Sequence, residues 1–337
     1  MHKIYIFTIV FLFTSCQKKE IEKPLYFPTL MEIPKGFPDI NFPIDNAFSE
    51  ARWNLGKTLF FDPIMSLDSS ISCASCHLPE LAFSDKVAFS EGVAQRLGTR
   101  NSPTLANVAY HPYYTREGGI PTLEMQILVP IQEHVEFDFN IVLIAERLAK
   151  NADYIAMSED TYNRTPDAFV ITRALACFER SLLSGYSFYD QYIEHDKASA
   201  MSTSAIRGME LFFGDRTKCS QCHSGFNFSN YAFENNGLYE EYEDLGRFRL
   251  TGNEEDRALF KVPSLRNIEL TAPYMHNGSL HTLEEVIEHY QSGGKNHPHK
   301  SDLIQPLDLN LSEQNDLIEF LKSLTDETFI NNPLFRN

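Results

Sequence analysis

Positive charge is in short supply in this chain. Its 29 lysines and arginines face 46 aspartates and glutamates, a formal net charge of −17. Such a surface repels phosphate backbones, which excludes nucleic acid as a partner and leaves a basic protein partner open. Strand patterns are also scarce, so the fold class is mainly α. No apolar run is long enough to span a bilayer comfortably. What is present is apolar content, 43% of 337 residues, enough to bury a sizeable core and, at this length, to build two domains.

One apolar run, IYIFTIVFLF, follows MHK and is closed by Thr14, Ser15 and Cys16. A positive start, a short apolar stretch and small residues before a cysteine read as a bacterial lipoprotein signal peptide over residues 1–15, with acyl chains on Cys16. A small-x-small site for ordinary cleavage is missing. Residues 16–40 are polar and carry Pro24, Pro28, Pro34 and Pro38, which reads as a tether to a membrane. The expected location is the periplasm, as a membrane-anchored lipoprotein.

The stretch ISCASCHLPELAF recurs in miniature as TKCSQCHSGFNF. In an exported chain, disulfides among Cys73, Cys76, Cys219 and Cys222 are one explanation of paired cysteines, and a four-sulfur zinc cage is another. Neither explains why a histidine directly follows each pair. Covalent haem attachment does, because two thiols add to the two vinyl groups and the adjacent histidine is delivered to one face of the iron. Two haem c groups are therefore expected, one on Cys73, Cys76 and His77 and the other on Cys219, Cys222 and His223.

Helical periodicity runs through FSEARWNLGKTLFF, TLEMQILVPI, NIVLIAERLAKN, STSAIRGMELFFG, TLEEVIEHYQSG and LSEQNDLIEFLKSL, several of them opened by serine or threonine as N-caps. Cys177 falls on or beside an apolar helical face with Ile171, Ala174, Leu175 and Phe178, which marks it as a buried, inert thiol. A helical pattern ending in two phenylalanines precedes each C-x-x-C-H unit, so the halves read as divergent copies of one haem-binding module. The polar stretch at residues 195–203 marks the seam, giving domains over 41–198 and 199–337.

The phrases LGKTLFFDPIMSLDSSISCASCH, RNSPTLANVAY, TLEMQILVPIQEHVEF, CFERSLLSGYSFYDQYI, KVPSLRNIELTAPYMHNGS and TLEEVIEHY resemble those of the bacterial di-haem cytochrome c peroxidases, a superfamily that includes the MauG-type enzymes. The resemblance covers most of the chain after the signal. It implies two cytochrome-c-like domains with one covalently bound haem each, peroxide reacting at the first and electrons entering at the second. The implied activity is reduction of hydrogen peroxide to water with electrons from a small donor such as a c-type cytochrome. The alternatives are a MauG-like oxidase of a protein or small molecule and a passive di-haem electron-transfer protein. A homodimer is compatible with the family.

The resemblance also assigns residues. Gln126 and Glu136 fall on the distal glutamine and glutamate that handle the peroxide proton, with Pro130 between them. The histidine that caps the first iron in many family members would lie at residues 78–99, where this chain has none. Two residues compete as far-side ligand of the second haem: Met275, a thioether, and Tyr290, at the position where MauG-type enzymes place a tyrosine. Calcium is implied between the domains at Asn101, Thr271 and Pro273. Two expected tryptophans are missing: Arg116 stands at the inter-haem position and Thr217 at the surface-relay position, and the only tryptophan is Trp53.

Overall fold

The computed structural model describes residues 29–337, so the signal peptide and Cys16 lie outside the described residues. Among the described residues, each helix of eight residues or more starts after Ser, Thr, Asn or Asp, whose side chain accepts a hydrogen bond from a backbone N–H of the first turn. All six periodic stretches are helical, with TLEMQILVPI broken at Ile127 into two short pieces. The single sheet among the described residues is a two-residue antiparallel pair, Phe233–Glu234 against Phe260–Lys261.

Each half is organised by one close helix crossing. Helix Glu50–Phe61 lies on helix Ala168–Arg180 at Gly56, where a Cβ would collide with the Ala174 carbonyl oxygen and press on Phe178. Helix Thr203–Phe213 lies on helix Leu311–Lys322 at Gly208, where a Cβ would collide with the Asp316 carbonyl oxygen and press on Phe320. The two crossings superimpose in sequence: Gly56, Phe60, Ala174 and Phe178 correspond to Gly208, Phe212, Asp316 and Phe320. Glycine is required at both because the backbones touch.

A second repeat runs without a gap at a constant offset of 160 positions, carrying Asn107 onto Asn267, Tyr114 onto Tyr274 and Thr122 onto Thr282. Both asparagines are left-handed (φ 60° and 59°), and both tyrosines bridge to the residue six positions on, Ile120 and Leu280. The halves meet at equivalent groups. Asn107 N–H donates to Leu182 O at 2.8 Å and Asn267 N–H to Leu324 O at 3.1 Å, while Ser184 and Asp326 each donate a backbone N–H to the matching asparagine Oδ1 at 2.8 Å. Ser184 Oγ then donates to Asp326 Oδ2 at 3.2 Å, so a local pseudo-dyad relates the contacts at the seam.

The cores do not divide where the polar seam at 195–203 suggests. Phe329 and Phe335, near the chain end, join Phe60, Phe83 and Phe178 in the core of the first half. Nor is all of 16–40 a free tether. Pro34 packs on Gly185, Phe37 sits against Tyr110 of the first half and Phe226 of the second, and Tyr110 donates its hydroxyl to Pro38 O at 3.0 Å. Aromatic packing across both halves outweighs the local polarity that marks this stretch as linker.

Candidate functional site: two haem-binding motifs

Both motif histidines are oriented by the chain just after them. His77 Nδ1 is 2.8 Å from Phe83 O, and His223 Nδ1 is 3.0 Å from Phe228 O. A carbonyl can only accept, so Nδ1 carries the proton and Nε2 keeps its lone pair free for a metal. Burial holds both imidazoles below the usual histidine range, hence neutral at pH 7.

All four motif thiols are unpaired. Burial pushes Cys76 and Cys222 up to about 11 and raises Cys73 and Cys219 as well, so these are protonated thiols. A zinc cage would need thiolates, and among the described residues no group of three or more His, Cys, Asp or Glu side chains is placed to hold a metal ion.

The second motif opens onto a deep cavity. Cys219, Cys222 and His223 line it together with Tyr290 and Met275, and Phe212, Leu265, Leu283, Ile287, Leu317 and Leu321 give it an apolar lining. Arg116 and Lys261 also line it, and the buried Nε of Arg116 has no partner among the described residues. An apolar cavity with paired thiols, an oriented imidazole and an unsatisfied guanidinium for a carboxylate fits a haem. Met275 Sδ accepts from Asn236 Nδ2 at 3.1 Å. Burial pushes the Tyr290 phenol up to about 12, against the pull of a hydrogen bond with the Asn236 side chain.

On the first side the corresponding distal positions differ. The repeat places Thr115 where the second half has Met275, and Pro130 where it has Tyr290, so neither side chain supplies a phenol or thioether there. Gln126 ends the short helix Leu123–Gln126 with a buried Oε1 that has no partner among the described residues. Glu136 is exposed, yet the protein mass around its carboxyl, with Glu133 nearby, pushes it up to about 7. Its charge is felt by both Cys73 and Cys76, which places it by the first haem motif.

The histidine-free loop at 78–99 is tied to this turn. Val93 N–H donates to Glu136 O at 2.9 Å, a Cβ at Gly92 would strike the backbone of Val135 and Glu136, and Arg96 pairs with Asp138 at 2.6 Å. The loop in which the resemblance implied a capping ligand instead braces Glu136 in this chain.

Asn101, Thr271 and Pro273 line one cavity with Arg116. The guanidinium donates to Asn101 O at 2.6 Å and lies 3.4 Å from its Oδ1. Arg100 beside it is already paired with Glu117 and with Asp244. Burial, and then Arg100, lower Arg116 only to about 10, so it stays charged at pH 7. A cation already sits on the asparagine oxygens and the nearby carboxylates are taken, so these residues as arranged do not fit the expected calcium ion. Thr217 is buried and donates to Leu211 O at 2.5 Å, a structural contact in place of a redox-active ring. Cys177 is buried, with its thiol raised by burial, as its helical position implies.

Reasoning from sequence missed Glu179, a buried acid inside an apolar helical pattern. The available signal was a glutamate four residues after Leu175, on the face that carries the core.

Residues 50–198 match the family model for di-haem cytochrome c peroxidase. The chain is 35% identical to the methylamine utilization protein MauG of Methylorubrum extorquens over 85% of this chain and 81% of that protein. It is 33% identical to the cytochrome c551 peroxidase of Nitrosomonas europaea over 81% of this chain and 79% of that one. The crystal structure of a MauG-like protein associated with microbial copper homeostasis aligns with a TM-score of 0.84 at 34% identity, covering 90% of this chain and 98% of that chain. The protein belongs to the di-haem cytochrome c peroxidase family.

Proposed function

We propose that this chain is a cytochrome c peroxidase, reducing hydrogen peroxide to water with electrons that enter through its second half from a small c-type cytochrome. The observation that carries the reading is the asymmetry of the distal positions: Pro130 with an unpartnered Gln126 on one side, Tyr290 on the other. When bound, the haem irons supply the electron transfer and the redox step on peroxide. His77 and His223 present Nε2 to them, and the four thiols hold them. Gln126 orients peroxide through its free Oε1. Glu136 takes a proton from the near peroxide oxygen and returns it to the far one, a role suited to a carboxyl that titrates near pH 7. Tyr290, with Met275 as the competing ligand, closes the second site, leaving it to relay electrons. Tyr113 stacks on Phe233 across the halves with centroids 5.1 Å apart, a contact that supports an aromatic route between the sites in place of the missing tryptophan.

Lipidation at Cys16 and a periplasmic location belong to the same proposal and rest on the sequence of the first sixteen residues. Among the described residues, no helix is long and apolar enough to cross a membrane.

The test is a steady-state assay of peroxide-dependent oxidation of a reduced c-type cytochrome by protein that carries two haems per chain. No turnover above the cytochrome's own reaction with peroxide would end the peroxidase reading. One observation favours the MauG-like oxidase instead, the phenol of Tyr290 at the second site. Against it stands Thr217, which cannot relay an oxidising equivalent to a surface-bound protein.

A further inference from the structure

The two helix crossings allow residues of the first half to be placed by their counterparts in the second. Ala174 and Phe178 correspond to Asp316 and Phe320, so Leu175 corresponds to Leu317 and Glu179 to Leu321. Leu317 and Leu321 both line the second cavity beside Cys219, Cys222 and His223. Glu179 therefore stands at the wall of the first haem site, where the second has a leucine. Its charge is felt by Cys73, as that placement requires.

We propose that Glu179 is the redox-linked proton carrier of the first haem, taking up a proton when that haem gains an electron and releasing it when the electron leaves. This rests on the reading of Cys73, Cys76 and His77 as a haem site. Glu179 is 6% exposed, and among the described residues no side chain or backbone group is hydrogen-bonded to its carboxyl. The adjacent Arg180 does not neutralise it, because both guanidinium ends are held by Glu124, at 2.5 and 2.9 Å. An unpaired buried carboxylate is costly, so the group holds its proton near neutrality. Desolvation pushes it up to about 8, with Arg180 pulling down and Glu124 pushing up.

The other ionisable groups on the packed elements are engaged elsewhere or neutral. Tyr114 is raised by burial to about 12, and Cys73 is a protonated thiol. On the Glu50–Phe61 helix, Arg52 lies over the Tyr162 ring and Lys57 over Trp53, and Glu50 is at the surface. On the Ile141–Leu148 helix, Arg147 binds the carbonyls of Ile64 and Ser66, and Glu146 is exposed.

The balance is simple. On reduction one electron arrives from the second half and one proton from water protonates Glu179. On oxidation the electron passes to peroxide and the proton returns to water, so the haem pocket never carries an extra uncompensated charge. Oxidation places positive charge beside the carboxyl and lowers its pKa. Between the lower value of the oxidised state and the higher value of the reduced state, one proton should move per electron.

The experiment is a spectroelectrochemical titration of both haems from pH 5.5 to 9 in wild type, Glu179→Gln and Glu179→Leu, each first shown by denaturing mass spectrometry to carry two haems. The wild-type first haem should lose close to ~59 mV per pH unit in that window, the single-electron equivalent of a tenfold change in proton activity. Both variants should flatten that slope and leave the second haem's slope unchanged. Loss of a haem from wild type would overturn the haem reading itself. Two intact haems with the same first-haem slope in either Glu179 variant would overturn only the assignment of Glu179.

Discussion

One scaffold carries two different interiors. The helix crossing, the left-handed asparagine, the tyrosine bridge and the histidine held by a phenylalanine carbonyl are repeated nearly residue for residue, whereas the groups that face the far side of the haem motif are not. Thr115, Gln126, Pro130 and Glu179 in the first half stand where the second has Met275, Val286, Tyr290 and Leu321. Polar groups that hold or move protons gather on one side, and on the other are apolar groups and a phenol. The lesson is that one backbone orients both motif histidines alike, while on the proposed function the proton chemistry is confined to the half whose side chains depart from the repeat.

The hardest blow to this comparison is to copy the second half into the first. Pro130→Tyr should abolish the peroxide reaction in stopped flow while two haems remain attached, because a phenol would then stand over the first iron. By the same reasoning the fully oxidised wild type should react without a lag; a lag removed only by prior one-electron reduction would show that another residue caps that iron.

Next in size is Glu136→Gln, which should slow the peroxide step by about a hundredfold or more with the haem spectra intact. The sign of its pH dependence is fixed. Below about pH 7 the raised carboxyl of Glu136 is protonated and cannot accept the peroxide proton, so the wild-type rate should rise through that value and level off above it. Glu136→Gln should flatten the profile, and an unchanged profile would remove Glu136 from proton transfer.

A moderate effect is expected from Tyr290→Met. Exchange of a phenol for a thioether should raise the second haem's potential and leave the initial peroxide step alone. If Met275→Leu shifts that potential and Tyr290→Phe does not, the ligand is the thioether.

The smallest effect should come from chelators. With Arg116 on the Asn101 oxygens, prolonged EDTA treatment should leave spectra and turnover unchanged, whereas Arg116→Ala, with those oxygens freed, should bind calcium by metal analysis and become sensitive to its removal. A stoichiometric calcium ion in wild type would refute the guanidinium's role.

Much of this was legible in the sequence, for local reasons. The C-x-x-C-H units confine three haem contacts to five residues, and the caps and apolar periods of the helices are short-range signals. Gln126 and Glu136 are ten residues apart and were placed by resemblance, since nothing in their spacing alone brings them to one haem motif. What escaped were contacts made by generic residues far apart in the chain. Phe37 between Tyr110 and Phe226 is an ordinary aromatic in a proline-bearing stretch, and its partners are defined only once both halves are folded. Glu179 was hidden because a helix with one acid on its inner face keeps its apolar period.

The aromatic contact of the Glu327–Ile330 segment has a bearing on how the molecule is made. Phe329 packs tilted and Phe335 edge-on against Phe83, with centroids 5.7 and 6.3 Å away, and Phe83 supplies the carbonyl that orients His77. That support is translated after the whole of the second haem motif. The core of the second half is closed by the Leu311–Lys322 helix and Leu324, so both histidine cradles are completed by the final stretch of the chain. Removing the chain from Phe329 onward should therefore loosen the cradle of His77 while leaving the core of the second half, which ends at Leu324, in place.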